Sequence, residues 1–415
     1  MSEPLTFQDR IAKLCHEKFD TVVADIPDNL AGRKVIAGVV MESKANQKFD
    51  VISLASGNRF IKGNMLTTNG QVLVDSHAEI LANRGMRRFI YCQLKKLWKG
   101  EETSVFQKCE KGKAAVIPDV KFHRYISTAP CGDGAIFTHS TGTSSALHDG
   151  HHHHHPIFDD TKQGLLRTKV EQGEGQIPFK GVDGVVSYQG LDVVRPGERL
   201  RVMSCSDKIC KWNLLGMQGA LLANLMEPVY YTSITLGTLY SHGHMARAMC
   251  CRLEKSSKIE SLPHGHKVNH PLLGAVSRKD DPKRSVEKST AHSINWNSAD
   301  DCPEMTDGTT GLLHNSGFIR TDRTKSRLCK EELLKSFKEN CANAGLLNLV
   351  KDDYLKTKQT STTYQTCKII LYAILNSQGY GTWLGLPREC QEFGTSTTPA
   401  VGRPQSYSQV VLKKH

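Results

Sequence analysis

Twice in this chain an apolar run suited to a β-strand ends in a tight turn that carries a cysteine. RYISTAP at 124–130 leads into Cys131-Gly132-Asp133, and RVMS at 201–204 leads into Cys205-Ser206-Asp207. A strand that feeds a turn with a helix behind it is the unit of an α/β fold, and adjacent parallel strands would bring two such turns together. The surrounding pattern agrees. VIAGVVM at 35–41 and VISLASG at 51–57 read as paired buried strands, while residues 77–98 carry apolar residues at helical spacing. Phe7, Ile11, Leu14 and Phe19 predict a first helix. KICKWNLLGMQGALLANLM predicts one long helix behind Cys205, and the closing part from LCKEELLKSFKENC to CKIILYAIL is helical. Residues 138–164 are rich in Ser, Thr, Gly, Asp and His, keep no periodic pattern and read as a mobile loop; a Lys-rich interval at 275–292 reads as a surface insertion. One composite domain over 1–395 with a tail at 396–415 is the simplest organisation.

Charge narrows the partners. The 54 basic against 42 acidic side chains of the 415-residue chain leave a net +12, which favours an anionic partner such as nucleic acid. No run approaches the roughly 18 to 20 apolar residues of a membrane span, and MSEPLTFQDR lacks the pattern of a secretory signal, so a soluble intracellular chain with no membrane partner is expected. Thirteen cysteines over this length read as reduced thiols with a metal site among them, rather than as a disulfide framework.

The metal site is read from His77-Ala78-Glu79, at the start of the 77–98 helix, together with the cysteine turns. H-x-E followed by P-C-x-x-C is the signature of zinc deaminases, in which a His and two thiolates hold the metal and the Glu moves protons. Here Pro130-Cys131-Gly132-Asp133-Gly134 has glycine where the second cysteine is expected. A catalytic zinc needs about three protein ligands plus water, so a further thiolate must come from elsewhere. Cys205 is the better placed, at the start of a helix where the dipole favours thiolate; Cys210 lies one and a half turns further on. Each element has a plain alternative. Ser76 to Glu79 fits a helix capping box, an isolated buried cysteine is more often a small hydrophobe, and the histidines at 151–155 would bind metal only weakly from a structureless loop.

Long segments of the chain, from about residue 10 to 395, resemble the catalytic domain of adenosine deaminases acting on RNA, which are related to tRNA-specific adenosine deaminases. They are RKVIAGVVM (33–41), DSHAEILANRGMRRFIYCQL (75–94), FHRYISTAPCGDGAIF (122–137), LRTKVEQGEGQIP (166–178), MSCSDKICKWNLLGMQGALL (203–222), HSINW (292–296) and SRLCK (326–330). The resemblance implies a cytidine-deaminase-like α/β zinc core, a mixed sheet flanked by helices, with an enlarged helical C-terminal part. It implies one zinc on His77, Cys131 and Cys205, and Glu79 as the residue that takes a proton from water and returns it to the adenine and the departing ammonia. It further implies a buried inositol hexakisphosphate bound by Arg84, Lys208, Lys211, Trp212, Lys330, Tyr354, Lys358, Tyr364, Lys368 and Trp383, although Asn83 and Lys211 stand where the family has arginines and Gly385 where it has an acid. Asp75 and Lys208 are expected to couple that ligand to the zinc.

For RNA, the resemblance points to Asn58, Arg59, Lys169 and Lys288, and to a base-flipping loop with Glu174 between Gly173 and Gly175. Ala135 replaces an arginine that the family places near the RNA backbone. The implied activity is conversion of adenosine to inosine in double-stranded RNA, with tRNA as the competing substrate and a catalytically inactive RNA-binding homologue as the reading of another class. A nuclear location, with the cytoplasm second, and homodimerisation complete the expectations.

Overall fold

The apolar runs at 35–41 and 51–57 pair as β1 (Ile36–Ser43) and β2 (Lys48–Ser56), antiparallel, with Ile36 opposite Ser56 and Ser43 opposite Lys48. In the computed structural model, which describes residues 5–31, 35–109, 112–137, 154–169, 176–178, 191–194, 200–277, 290–300, 302–319 and 321–394, this hairpin is the middle of a seven-stranded sheet. β3 (Val120–Ile126) runs antiparallel to β1, and β4 (Ser233–Leu236) and β5 (Leu272–Ala275) follow β3 in parallel. On the other side β6 (His292–Asn297) pairs antiparallel with β2, and β7 (Glu304–Asp307) with β6. The order is β7-β6-β2-β1-β3-β4-β5.

The first five residues of β1 and all four of β4 are buried without alternation, because helices cover both faces of the sheet. On one face lies α1 (Phe7–Val22), which inserts Ile11, Cys15 and Phe19 against Ile36, Val40 and Leu54. On the other lies α2 (Ala78–Lys99), whose Leu81, Met86 and Ile90 join the largest core with Val39 and Ile126. Behind this layer stand α3 (Cys205–Leu215), α4 (His242–Met249), α5 (Lys330–Ala344), α6 (Tyr354–Gln359) and α7 (Thr362–Ser377). α5 packs on α2, and α7 packs on α3 through Cys367, Leu371, Leu214 and their neighbours. This is the expected mixed sheet flanked by helices, with an enlarged helical C-terminal part.

Three expectations change. Residues 201–204 do not form a strand of the main sheet; Met203 makes only an isolated antiparallel bridge with Thr168, supported by Lys169 N–H to Val202 O at 2.8 Å. The parallel neighbour of β3 is instead β4. The helix behind Cys205 ends at Leu215, because Gly216 takes φ 82°, a left-handed conformation that breaks the helix and that glycine adopts without penalty. In the segment assigned to a mobile loop, residues 154–164 are described and packed: Gln163 and Gly164 are buried, and Gly164 N–H donates to Asp133 Oδ1 at 2.7 Å. Residues 138–153, 278–289 and 395–415 lie outside the described residues.

Candidate metal centre and the cavity behind it

His77 is the N-cap of α2, with φ −63° and ψ 140°, and its side chain makes no capping bond. It is held by the backbone: Ser76 N–H reaches Arg59 O and Ala78 N–H reaches Gly57 O, both at 2.9 Å, while His77 N–H donates to Asp75 Oδ1 at 3.2 Å. The capping-box reading of Ser76 and Glu79 therefore fails, since the cap falls one residue later and Ser76 Oγ has no partner among the described residues. Cys131 follows β3 and Cys205 opens α3. The two turns are locked together by Ser206, whose N–H donates to Cys131 O at 2.9 Å and whose hydroxyl donates to Pro130 O at 3.0 Å. Gly132 makes the approach possible: it sits at φ 108°, and a Cβ there would lie 2.1 Å from Ser204 Oγ.

His77 Nδ1 consequently stands 3.5 Å from Cys205 Sγ and 4.0 Å from Cys131 Sγ, and Cys205 N–H points at Cys131 Sγ from 3.3 Å. Around a tetrahedral zinc, bond lengths of about 2.0 Å to nitrogen and 2.3 Å to sulfur put nitrogen and sulfur about 3.6 Å apart. The triad fits that ion and leaves a fourth position for water or substrate. The hydrogen bond with Cys205 draws the Cys131 thiol below its ordinary value, against the effect of burial, and Lys169 adds to this. Burial, and then Cys131 itself, push Cys205 well up. Two thiols this deep cannot both ionise without a cation between them. Glu79 is 2% exposed, and its Oε2 has no hydrogen-bond partner among the described residues. A buried carboxylate oxygen left unpaired in the first turn of a helix, beside a metal triad, is placed for a ligand rather than for stability.

Buried ion pairs surround the triad. Asp75 accepts from Lys169 Nζ at 2.7 Å and from Lys208 Nζ, and despite burial these two lysines hold its carboxyl far below the usual range. Lys169, expected at the RNA, is thus committed to Asp75 and is 5% exposed. Arg124 is fully buried, donates to Glu79 O and Tyr231 OH, and lies over the Trp212 ring. Asp133 and Asp207, each two residues after a metal-site cysteine, are held by the buried Arg247 and Arg252. Sequence reasoning missed all three arginines; the repeated Cys-x-Asp was the available signal for the last two.

On the far side of Asp75 is a cavity of about 350 Å³. All ten residues expected at the polyphosphate line it, together with Asn83, Arg87, Tyr372 and Gly385. Its cations have neutral partners: Arg84 Nε donates to Leu328 O at 2.6 Å, Lys330 Nζ to Cys390 O at 3.1 Å, Lys358 Nζ to Gln391 Oε1 at 3.0 Å and Lys211 Nζ to Tyr372 OH at 2.9 Å. Lys208 faces a carboxylate, that of Asp75, which is the one acid among the described residues of the lining. Burial, followed by repulsion from Lys358, pushes Lys330 down to about 7; burial and like-charged neighbours bring Lys358 and Lys368 to about 8. Such a set is costly unless an anion fills it.

Asn58 and Arg59 lie in the turn after β2 that runs beside His77. Gly173, Glu174, Gly175 and Lys288 fall outside the described residues.

A mixed sheet that carries a His/Cys/Cys triad at two helix starts and the turn after a strand, with a buried acid beside it, defines a deaminase-type domain with a metal-compatible centre. The chain belongs to the adenosine-deaminase (editase) domain family, whose profile matches residues 53–387. It is 40% identical over 399 residues to a double-stranded RNA-specific adenosine deaminase of Mus musculus, covering 95% of this chain and 33% of that protein. It is 36% identical over 403 residues to the double-stranded RNA-specific editase Adar of Drosophila melanogaster, covering 95% and 56%. Against tRNA-specific adenosine deaminase 1 of Homo sapiens the identity is 26% over 506 residues, covering 93% and 99%. The chain thus spans about a third to a half of the length of the duplex-RNA enzymes it matches.

Proposed function

We propose that this chain hydrolyses adenosine to inosine in double-stranded RNA. The observation that carries the reading is the unpaired, buried Oε2 of Glu79 beside His77, Cys131 and Cys205. Zinc held by those three residues would supply the Lewis acidity that brings the pKa of water towards neutrality. Glu79 takes the proton from the attacking water and delivers it to N1 of the adenine, then takes the proton of the hydroxyl now on C6 as the carbonyl forms and passes it to the departing amine, acting as base and acid in turn. Asp75 orients His77 through its backbone N–H and carries the charges of Lys169 and Lys208, which links the centre to the cavity. Inositol hexakisphosphate is the ligand we assign to that cavity, because a compact polyanion neutralises many buried cations at once. The higher identity to duplex-RNA enzymes than to the tRNA enzyme favours duplex RNA, and we assign the work to the nucleus, with the cytoplasm second.

The test is inosine formation by purified protein on a long RNA duplex and on a tRNA. Faster conversion of the duplex supports the assignment. Conversion of the tRNA alone would move the chain to the other substrate, and no inosine on either would overturn the enzyme reading.

A further inference from the structure

A second group of metal-ligating atoms lies away from the triad, where Cys250 and Cys251 close α4 and meet His154 and His270. Adjacent residues on a helix point in different directions. Here the helix stops at Cys250, with φ −156° and ψ −50°, and the bend turns both sulfurs inward to 3.6 Å from each other. His154 Nδ1 lies 3.3 Å from Cys250 Sγ, 3.4 Å from Cys251 Sγ and 3.4 Å from His270 Nδ1, and Cys251 Sγ lies 3.7 Å from His270 Nδ1. A tetrahedral zinc with two sulfur and two nitrogen ligands has edges of about 3.8 Å between sulfurs, about 3.3 Å between nitrogens and about 3.6 Å between unlike atoms. Five of the six edges lie close to that figure, and the sixth, between Cys250 and His270, is within 4.8 Å.

The outward nitrogens of both rings are also occupied as metal-bound imidazoles require. His154 Nε2 meets Pro271 O at 3.0 Å, and His270 Nε2 meets Glu254 Oε1 at 2.8 Å. A carbonyl and a carboxylate at these positions fix the tautomer with hydrogen on Nε2, leaving the Nδ1 lone pairs aimed at the common centre.

We propose that His154, Cys250, Cys251 and His270 hold a second zinc ion, structural rather than catalytic because four protein ligands close its coordination. Binding releases the two thiol protons to solvent as the thiolates take the ion. The consequence is mechanical. The ion ties His154 to the end of α4, 96 residues away. Three residues on, Ile157 O accepts from Arg247, and Arg247 grips Asp133 behind Cys131. The second centre therefore braces the turn that presents a ligand of the first. The histidine run at 151–155, expected to bind metal only weakly, contributes one ligand, and the expected one zinc per chain becomes two. The inference does not depend on which substrate is deaminated.

Elemental analysis of the whole purified chain after exhaustive dialysis is expected to find two zinc ions, one for each of the two groups. Cys205→Ser should keep one and Cys251→Ser should keep one. A form with His151, His152, His153 and His155 changed to alanine should keep both, which separates this site from loose binding by the run. Cobalt loaded into Cys205→Ser should show tetrahedral d–d bands with thiolate-to-cobalt charge transfer. This variant leaves the second centre untouched, so the test stands even where Cys251→Ser fails to fold. One zinc in the parent chain and none in Cys205→Ser would overturn the proposal. So would cobalt in that variant without thiolate bands, or loss of the second ion when only the four flanking histidines are changed.

Discussion

Arg247 Nε lies 2.8 Å from Asp133 Oδ2, and neither side chain reaches solvent. The same guanidinium donates to Asp133 O at 3.0 Å, so it holds both the side chain and the backbone of the turn that carries Cys131. Asp207 repeats the arrangement with Arg252 at 2.7 Å behind Cys205. Each thiol is thus set on a turn whose acid, two residues on, is pinned by a buried arginine.

Asp133→Asn keeps the shape but removes the charge that Arg247 faces. Breaking one partner of a buried pair costs on the order of 3–5 kcal/mol, because the remaining charge is left uncompensated. Urea unfolding should report a loss in that range. A change below about 1 kcal/mol would mean that the carbonyls around Arg247 suffice for it.

Glu79→Gln is expected to leave fold and metal content unchanged and to abolish inosine formation. Glu79 belongs to neither metal group, and an amide of the same size cannot shuttle a proton. Single-turnover assay beside elemental analysis checks both halves. Substantial residual activity would remove Glu79 from the proton-transfer role.

Cys205→Ser should cost one metal ion per chain, whereas Cys210→Ser should cost none. Cys210 is buried in the core that joins α3 to α7 and is absent from both metal groups. Metal content of the two purified variants, compared with the parent, decides the assignment.

The lysines of the cavity predict an unusual pH response. In the ligand-free chain Lys330 titrates at about 7 and Lys358 and Lys368 at about 8, below the roughly 10.4 of an unfolded lysine. Between these values the unfolded chain binds more protons than the folded one, so stability rises with pH from about 7 to 10.4 and the penalty is full below the folded values. A bound polyanion keeps the lysines charged and removes the rise. Thermal melts from pH 6.5 to 9.5 should show Tm climbing for ligand-free protein, and flat or falling once inositol hexakisphosphate is added. Identical profiles with and without it would count against the assigned ligand.

Much of this was legible in one dimension. The β1–β2 hairpin, α1 and α2 follow from local periodicity, since each repeat of apolar residues reports the face that its own element buries. The His77, Glu79, Cys131 and Cys205 set was readable because its residues lie in short motifs, and the resemblance marked ten of the residues that line the cavity. Local pattern failed where a distant partner decided the outcome. The turns at Cys131 and Cys205 meet through Ser206, and the segment before Cys205 bridges to Thr168 and not to a neighbouring parallel strand. Nothing in their own local sequence separates Arg124, Arg247 and Arg252 from surface arginines; the repeated Cys-x-Asp hints only at partners for the last two, and burial against Glu79 O, Asp133 and Asp207 identifies them. His154 looks like one of five equivalent histidines until the chain brings Cys250, Cys251 and His270 around it. The sequence by itself determined the elements and the reactive residue types, because secondary structure and motifs are local. Which charges are buried together, and which thiols share an ion, the tertiary structure alone decided, because contacts between residues a hundred positions apart are set by how the layers pack.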